Sequence, residues 1–373
     1  MNQQKRLNRR AFLRFLGGVG AVSALGTSLS GCASPAKQVS AIPTVAEPNV
    51  AEAPTNVNVG EGASASNEPD VELALRATTG EVSILPGQPT KVWVYQGEVL
   101  AGDPATLQTL DGSYLGPLIR VRKGQKVRIH FTNELDSESI IHWHGLHVPE
   151  EADGHPRYAI KPGDTYVYDF EVRNRAGTYW YHPHPHGQTG HQVYQGLAGL
   201  FLVSDEEERA MALPTGEYDV PLVIQDRLFD ADNQLLYLPN GMHDRMMGFV
   251  GDQILVNGQP NFTLKAATRI YRIRLLNGSN SNIYQLAWND GTPLTVIGTD
   301  GGLLEKPQER KYIMLGPAER LELWVDFSQR SVGEEMALLN WAKSDRAFPV
   351  FSARIERAEE ESLRLPSQLS TIT

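Results

Sequence analysis

The sequence predicts an all-β protein with two tandem strand-rich blocks, and two kinds of observation lead to that prediction. Apolar and polar residues alternate through residues 118–131, around a turn at Lys123 and Gly124, as half-buried antiparallel strands require. Residues 166–170 and 270–275 repeat the alternation. Turn dipeptides separate the alternating segments, among them Pro162-Gly163, Asn257-Gly258 and Asn277-Gly278. Short strands punctuated in this way are typical of β-sandwiches and barrels.

Residues 1–31 resemble an export signal. Five basic residues and no acidic one precede an apolar run over residues 15–29 that is too short to span a bilayer comfortably. Residues 9–13, Arg-Arg-Ala-Phe-Leu, resemble a twin-arginine signal, and residues 29–32 resemble the lipobox of bacterial lipoproteins. We expect export by the twin-arginine pathway to the periplasm or cell envelope, with Cys32 as a lipid anchor in the membrane. The alternative is an ordinary cleaved signal with an incidental cysteine.

Residues 32–72 are predicted to form a disordered tether, because their Ala, Pro, Ser, Asn and Glu offer little apolar surface to bury. Loss of residues 1–31 removes five of the 34 basic residues, so the remaining chain carries 29 Lys and Arg against 44 Asp and Glu, a formal charge of −15. This balance argues against nucleic acid as a partner. Cys32 is the only cysteine, so no internal disulfide can form.

The rest of the chain is predicted to fold as two domains, over residues 73–205 and 217–360. The acidic residues 204–209 and the Leu-Pro-Thr-Gly at 213–216 predict a short helix or a solvated link between the domains. Residues 361–373 form a predicted polar tail.

Histidines are concentrated in the first domain. Nine of the ten lie between His130 and His191. Two His-X-His pairs stand out, His142 with His144 and His182 with His184. Because alternate residues of a strand share one face, each pair directs two imidazoles to the same side. Two opposed pairs predict a metal site, although imidazole suits copper, zinc, nickel and iron alike.

A zinc hydrolase and a cupin-like site are the competing interpretations. A zinc hydrolase needs three ligands, an open position and a nearby general base. A cupin-like site adds a glutamate and a later single histidine to its first pair, whereas the second element here is another His-X-His.

The motifs together resemble the multicopper oxidase family of laccases and bacterial cuprous oxidases. In the first domain the resemblance lies in Gly-Pro-Leu-Ile-Arg-Val at 116–121, His-Trp-His-Gly-Leu at 142–146 and the run that ends in His-Pro-His at 177–184. In the second domain, Leu-Val-Asn-Gly at 255–258 and Arg-Leu-Leu-Asn-Gly at 274–278 resemble the middle, copper-free domain of three-domain bacterial enzymes. The resemblance implies two tandem cupredoxin-like Greek-key β-sandwiches, the second of them structural.

The resemblance also implies ligand roles. The first histidine of the family's His-Trp-His-Gly motif binds the type 2 copper and the second binds a type 3 copper, which assigns these roles to His142 and His144. His182 and His184 correspond to two further type 3 ligands. Copper is therefore the implied cofactor, with half of a trinuclear site in this chain.

Two residues near the ligands have implied supporting roles. Asp153 matches an acidic residue that helps protons to reach oxygen during its reduction to water, a role that suits a carboxylate in a relay. The alternative is that Asp153 and Gly154 form only a turn. His186 is a candidate for supporting the ligands by a hydrogen bond, whereas His147, His155 and His191 have no implied role as ligands.

The sequence departs from the family after Ile355. A complete enzyme takes electrons from its substrate at a type 1 copper held by two histidines and one cysteine, and its last domain supplies the other four cluster histidines. This chain has no cysteine there, so no type 1 copper can form within it. We expect the third domain to be absent and the chain by itself to be inactive.

Three hypotheses follow. The favoured one is a truncated multicopper oxidase polypeptide that acts with O2 and a small reductant once a third-domain polypeptide or an oligomer completes the cluster. The second is an exported protein that buffers or delivers copper ions without oxidase activity. The third is a copper-free scaffold of the cell envelope, against which the four histidines argue. Surfaces that lack their third domain should expose apolar residues and favour oligomers or instability.

Overall fold

The computed structural model describes residues 68–341 and 347–372. The predicted signal peptide, Cys32 and nearly all of the predicted tether lie outside the described residues. Strands dominate the described part of the chain, and the helices there are short. None of these helices has the length and apolar character needed to cross a membrane.

Residues 71–204 form two sheets. The first sheet contains β1 (Val71–Val82), β2 (Thr90–Ala101), β5 (Lys126–Asn133) and β7 (Thr165–Glu171). The second contains β3 (Leu107–Gln108), β4 (Leu118–Arg122), β6 (Ile141–His144), β8 (Gly177–Pro183) and β9 (Gly199–Ser204). The strand orders are β2-β1-β5-β7 and β3-β4-β9-β8-β6. Two pairs, β1 with β5 and β4 with β9, are parallel, and the others are antiparallel.

A single core lies between these two sheets. Trp143, Tyr168, Tyr181 and Phe201 are fully buried within it, and the Trp143 ring lies 5.2 Å from the Tyr168 ring and 5.6 Å from the Tyr181 ring. Alternation along each strand directs these aromatic residues inward and leaves their neighbours on the outer face. The outer face of β6 and β8 is therefore available for a site.

Residues 219–357 form the second pair of sheets. One contains β10 (Asp219–Arg227), β11 (Gln253–Val256), β12 (Gln259–Pro260), β14 (Ile270–Asn277), β16 (Leu294–Thr299), β17 (Gly302–Arg310) and β19 (Arg320–Asp326). The other contains β13 (Thr263–Ala267), β15 (Tyr284–Trp288), β18 (Ile313–Leu315), β20 (Glu335–Asn340) and β21 (Phe348–Arg357). Their orders are β12-β11-β10-β14-β19-β16-β17 and β13-β21-β20-β15-β18. The prediction of an all-β fold with two tandem sandwiches is confirmed.

Two details of the strand prediction are wrong. The alternating segment at 118–131 was expected to form antiparallel strands around Lys123 and Gly124, but β4 and β5 belong to different sheets and do not pair. Residues 270–275 were expected to be half-buried, whereas every residue of β14 is buried. The reason for the second difference is that the polar positions of β14 are arginines that face buried carboxylates.

These arginines form a buried ion network at the junction of the sandwiches. Arg272 Nη1 lies 2.6 Å from Glu208, and Arg274 Nε lies 2.6 Å from Asp219. Glu322 accepts from both arginines and from Thr178 Oγ1, at 2.6 Å, in the first sandwich. Burial by itself raises the pKa of Glu322, but Arg272 and Arg274 outweigh burial and hold that pKa below its ordinary value. The network therefore joins β8 to β14 and β19.

The described part of the chain has three α-helices, α1 (Thr189–Gln195), α2 (Glu206–Ala210) and α3 (Met242–Met247). The second is the short helix that the acidic residues after Ser204 predict, and Asp205 caps it by accepting from the Glu208 amide at 2.8 Å. The link is not simply solvated, because Glu208 is buried against Arg272.

The described part of the predicted polar tail packs against the second sandwich and against the helix that links the two sandwiches. The Leu369 side chain is buried, and its amide donates to the Glu305 carbonyl at 2.8 Å. The Thr371 amide donates to Glu207 Oε1 at 2.7 Å. The predicted domain limits, 73–205 and 217–360, stay predictions, although β1 begins slightly earlier, at Val71.

Candidate metal centre

The two His-X-His pairs lie side by side on neighbouring strands. Strand β6 is the edge strand of its sheet and pairs with β8 in an antiparallel register that sets His142 opposite His182 and His144 opposite Trp180. Trp143 and Tyr181 alternate with these residues and face the core. The imidazoles consequently share the outer face of the sheet, as the spacing predicts.

The four imidazole rings form one cluster. The His142 ring centroid lies 5.6, 5.3 and 5.3 Å from those of His144, His182 and His184. One ring nitrogen from each of His142, His144 and His182 falls within a group whose members are all within 4.8 Å of one another. His184 lies beside that group, and its amide donates to the Ile140 carbonyl at 2.8 Å.

Backbone carbonyls hold three of the rings. The Nδ1 atom lies 2.6 Å from the Asp153 carbonyl in His142, 2.9 Å from the Pro183 carbonyl in His182 and 3.2 Å from the Gly154 carbonyl in His184. A carbonyl only accepts, so each of these Nδ1 atoms carries the hydrogen and the Nε2 lone pair stays available for a metal. This arrangement is how proteins commonly orient histidine ligands.

His144 is oriented differently from the other three. Its Nδ1 atom faces His182 Nε2 at 3.2 Å. Metal–imidazole bonds of about 2.0–2.1 Å place two ligands of one ion roughly 3 Å apart. The donor set and its spacing therefore fit a metal ion shared by His144 and His182.

The turn at Asp153 and Gly154 supplies two of the three orienting carbonyls. Gly154 has φ +78°, and a Cβ atom there would lie 2.0 Å from the Ile141 carbonyl oxygen of β6. Only glycine allows this close approach. The Asp153 side chain is 45% exposed, and its Oδ1 lies 3.4 Å from His142 Nδ1. The carboxylate thus stands between the cluster and solvent, although its proton-relay role stays a prediction.

Burial keeps the central imidazoles neutral. It lowers the pKa of His182 to about 3 and, with a contribution from the Arg320 cation, the pKa of His144 to about 4. Burial also lowers the pKa of His184. At neutral pH these rings keep the lone pairs that metal binding requires.

Two residues that contribute to the site, Trp180 and Arg320, are not identified by the sequence analysis. The Trp180 ring lies 4.3 Å from the His182 ring and 5.2 Å from the His144 ring, and it covers one side of the cluster. Its place two residues before His182 on one strand was a signal that could have identified it. Arg320 belongs to β19 of the second sandwich, where its Nε donates to the Thr178 carbonyl at 3.0 Å. No spacing in the sequence connects it with His144.

The remaining histidines of the first sandwich lie elsewhere. His147, His155 and His186 are exposed. The His191 ring packs edge-on against Trp93 at 5.5 Å, and His130 Nε2 lies 2.7 Å from Glu72. The supporting role suggested for His186 stays a prediction, and the Nδ1 atoms of His142, His182 and His184 donate to backbone carbonyls instead.

Comparison with known proteins gives consistent matches. Two family models, each described as multicopper oxidase, match residues 91–208 and 219–336. The chain is 39% identical over 230 residues to multicopper oxidase mco of Staphylococcus haemolyticus, a match that covers 62% of this chain and 50% of the relative. It is 38% identical over 239 residues to cell division protein FtsP of Escherichia coli, covering 64% and 49%.

A solved structure, the McoA multicopper oxidase from Aquifex aeolicus, has 40% identity and a TM-score of 0.72, and the match covers 82% of this chain and 66% of that one. The chain spans about half the length of the curated relatives it matches. The histidine cluster lies within the first matched segment, and membership in the family implies copper binding. This chain belongs to the multicopper oxidase family, with two cupredoxin domains.

Proposed function

We propose that His142, His144, His182 and His184 hold copper as one half of a type 2/type 3 trinuclear cluster, and that groups outside the described residues supply the other half. The observation that supports this most directly is the orientation of the rings. Three Nδ1 atoms are committed to carbonyls, and one ring nitrogen from each of His142, His144 and His182 lies within 4.8 Å of the others. His142 and His182 are on adjacent strands in register, so the backbone fixes their spacing.

Copper bound there supplies one-electron redox chemistry, by which the family couples oxidation of a substrate to reduction of O2 to water. The chain's own residues prepare the site for it. The carbonyls of Asp153, Pro183 and Gly154 hold hydrogens on Nδ1 and keep the rings in place. Trp180 excludes water from one side of the cluster. Asp153 Oδ1, close to both His142 and solvent, can take up a proton and pass it inward.

Oxidation of a substrate also requires a site at which its electrons enter the protein. A blue copper site needs a cysteine thiolate, and Cys32, the only cysteine, lies outside the described residues. We propose that the two described domains bind copper without turning over a substrate until further ligands, from a third domain or from another subunit, complete the site. The exposed side chains of Tyr312, Met314 and Trp341 on the second sandwich are consistent with such a partner. We also propose twin-arginine export and lipid attachment at Cys32.

Copper analysis of the purified chain tests this proposal. After loading with Cu(II) and desalting, the chain should retain copper, His182→Ala should lose most of it, and neither protein should consume O2 with phenols, diamines or cuprous ion. Oxygen uptake should appear only when a polypeptide with the missing ligands is added. An intense blue absorption band from the pure chain would overturn the proposal, because that band needs a thiolate ligand.

Two other functions are distinguishable by the same experiment. A copper-buffering protein retains copper stoichiometrically and stays inactive with every added polypeptide. The identity with cell division protein FtsP favours a scaffold role as a further candidate. A scaffold of that kind retains no copper after dialysis.

A further inference from the structure

Arg320, on β19 of the second sandwich, is a buried arginine beside the candidate metal centre. Its side chain is 4% exposed, and its Nη2 lies 2.9 Å from the position that a Cβ atom of Gly145 would occupy. Gly145 directly follows His144, and consecutive Cα atoms lie about 3.8 Å apart. Because Gly145 has no side chain, a guanidinium from one sandwich can approach the imidazoles of the other.

Backbone carbonyls hold this guanidinium in place. Its Nε donates to the Thr178 carbonyl, its Nη1 to the Ala318 carbonyl and its Nη2 to the Asp300 carbonyl, each at 3.0 Å. Thr178 lies on β8, two residues before Trp180, whose ring lies 5.2 Å from the His144 ring. Hydrogen bonds to both sandwiches therefore fix the cation relative to the imidazoles.

The charge of Arg320 is only partly balanced. Arg272 and Arg274 contact carboxylates that are almost or fully buried, whereas the carboxylate of Asp300, which lies 3.0 Å from Arg320 Nη1, is 49% exposed. Solvent and salt screen an exposed charge much more than a buried one. A net positive field from Arg320 therefore reaches the imidazoles. In agreement, burial is the first cause of the lowered pKa of His144 and the Arg320 cation is the second.

We infer that Arg320 sets the reduction potential of copper at the imidazole cluster without being a ligand. This inference rests on the proposed function, because it requires copper at the cluster. A fixed positive charge repels the doubly charged Cu(II) more than the singly charged Cu(I), so it favours the reduced ion and raises the potential. The second sandwich thereby contributes a charge to the chemistry of the copper half-site as well as a surface that supports it.

Competition titrations of the full chain with chelators for each oxidation state test the inference, with the Cu(I) series run without oxygen. The site measured is the one that His182→Ala loses. Arg320→Gln should strengthen Cu(II) binding relative to Cu(I) binding by about tenfold, which corresponds to a potential lower by about 59 mV for one electron. Arg320→Lys keeps the charge and should keep most of the original ratio. Loss of a purely structural residue would weaken the binding of both ions together and leave their ratio unchanged.

Asp300→Asn provides an independent test in which the buried arginine is retained. Asp300 Oδ1 accepts from the Arg320 amide at 2.6 Å, and the asparagine oxygen can accept in the same way. The variant lacks only the charge that partly balances the guanidinium, so the affinity ratio should move in the opposite direction, toward Cu(I), by about twofold. Arg310→Gln, which removes an exposed arginine of β17, controls for the change in net charge and should not alter the ratio.

The possible outcomes separate this inference from the proposed function. If Arg320→Gln retains copper with an unchanged ratio, or with a ratio shifted toward Cu(I), Arg320 does not set the potential although the cluster still binds copper. If Arg320→Gln does not fold, Asp300→Asn decides, and a ratio that is unchanged or shifted toward Cu(II) there overturns the inference. If the unaltered chain binds no copper at the cluster, the inference and the proposed function are both wrong.

Discussion

The sheet that carries the imidazoles in the first sandwich has the same strand arrangement as one sheet of the second sandwich. In the first sandwich β4 runs parallel to β9, and β8 and β6 follow antiparallel; in the second, β13 runs parallel to β21, and β20 and β15 follow antiparallel. Strands β6 and β15 alternate alike between buried and half-buried residues. The half-buried positions are His142 and His144 in β6 but Gln285 and Ala287 in β15.

The fold thus provides a half-buried row of side chains in both sandwiches, and the residue types decide the chemistry of that row. The same row carries the candidate metal centre in the first sandwich and is an ordinary sheet surface in the second. A second difference is the loop after β6, where Asp153 and Gly154 return to the strand and orient two imidazoles. The imidazoles and the loop carbonyls that orient them therefore occur together in the first sandwich.

The largest expected effect comes from cutting the ion network that joins the two sandwiches. Glu322→Ala removes the fully buried carboxylate that accepts from both Arg272 and Arg274, and leaves part of their buried charge uncompensated. We therefore expect the free energy of unfolding to fall by about 3–5 kcal/mol, although Glu208 still contacts both arginines. Urea unfolding followed by fluorescence measures it. Glu335→Ala, an exposed glutamate of β20, is the control and should change stability by less than about 0.5 kcal/mol. A loss below about 1 kcal/mol for Glu322→Ala would show that the network does not couple the sandwiches.

The second prediction compares a proposed copper ligand of the first sandwich with a half-buried polar residue of the second. His182→Ala should weaken Cu(II) binding by at least about a hundredfold, because it removes a ligand whose neighbours cannot replace it. Gln285→Ala on β15 should leave Cu(II) binding unchanged. Isothermal titration and metal analysis measure both. Equal effects of the two substitutions would mean that copper does not bind at the row of imidazoles.

The sequence predicted the outer row of the first sandwich well because a strand's period of two converts spacing directly into a shared face. That rule places His142 with His144 and His182 with His184, whereas the pairing of β6 with β8 brings the two pairs together. The alternation also correctly predicted strands such as β7. These features depend on local geometry, which is encoded over a few residues.

Long-range features could not be predicted in the same way. Arg272 and Arg274 alternate with apolar residues just as surface residues do, and only the arrival of Glu208, Asp219 and Glu322 from other elements makes their burial favourable. Likewise, no residue near Arg320 in the sequence indicates that the Arg320 cation acts on His144. The pairing error at β4 and β5 has the same origin, since a short turn can join strands of one sheet or lead from one sheet to the other.

The third prediction concerns the pH dependence of the free energy of unfolding of the copper-free chain. The imidazoles of the first sandwich should contribute to it, whereas the corresponding row of the second sandwich should not. Burial lowers the pKa of His182 from 6.5 to about 3. The unfolded imidazole takes up a proton below pH 6.5 and the folded one only near pH 3, so the contribution is complete above pH 6.5 and lost as the pH falls through that window.

Between pH 7.5 and pH 5 this residue should lower the free energy of unfolding by about 2 kcal/mol. Urea unfolding at the two pH values measures the total loss, to which His144 contributes as well because its pKa is also lowered. His182→Gln should reduce the measured difference by about 2 kcal/mol. His147→Gln, an exposed control, should preserve it. If His182→Gln leaves the pH dependence intact, the acid sensitivity arises elsewhere, for example from the buried carboxylates.

The smallest expected effect comes from a change in the loop after β6, which contains Asp153 and Gly154. Gly154→Ala places a Cβ atom 2.0 Å from the Ile141 carbonyl oxygen, so the turn must move and take the carbonyls of Asp153 and Gly154 with it. We expect Cu(II) affinity to fall by about tenfold, as for loss of other groups that orient ligands. Gly163→Ala is a matched control, because Gly163 also has positive φ, +87°, but no atom lies within 4 Å of its Cβ position. Both variants bear backbone strain, so only displacement of the orienting carbonyls separates their copper affinities. Equal affinities in the two variants would mean that the imidazoles are positioned by their strands alone, and that the row on β15 lacks nothing but the histidines themselves.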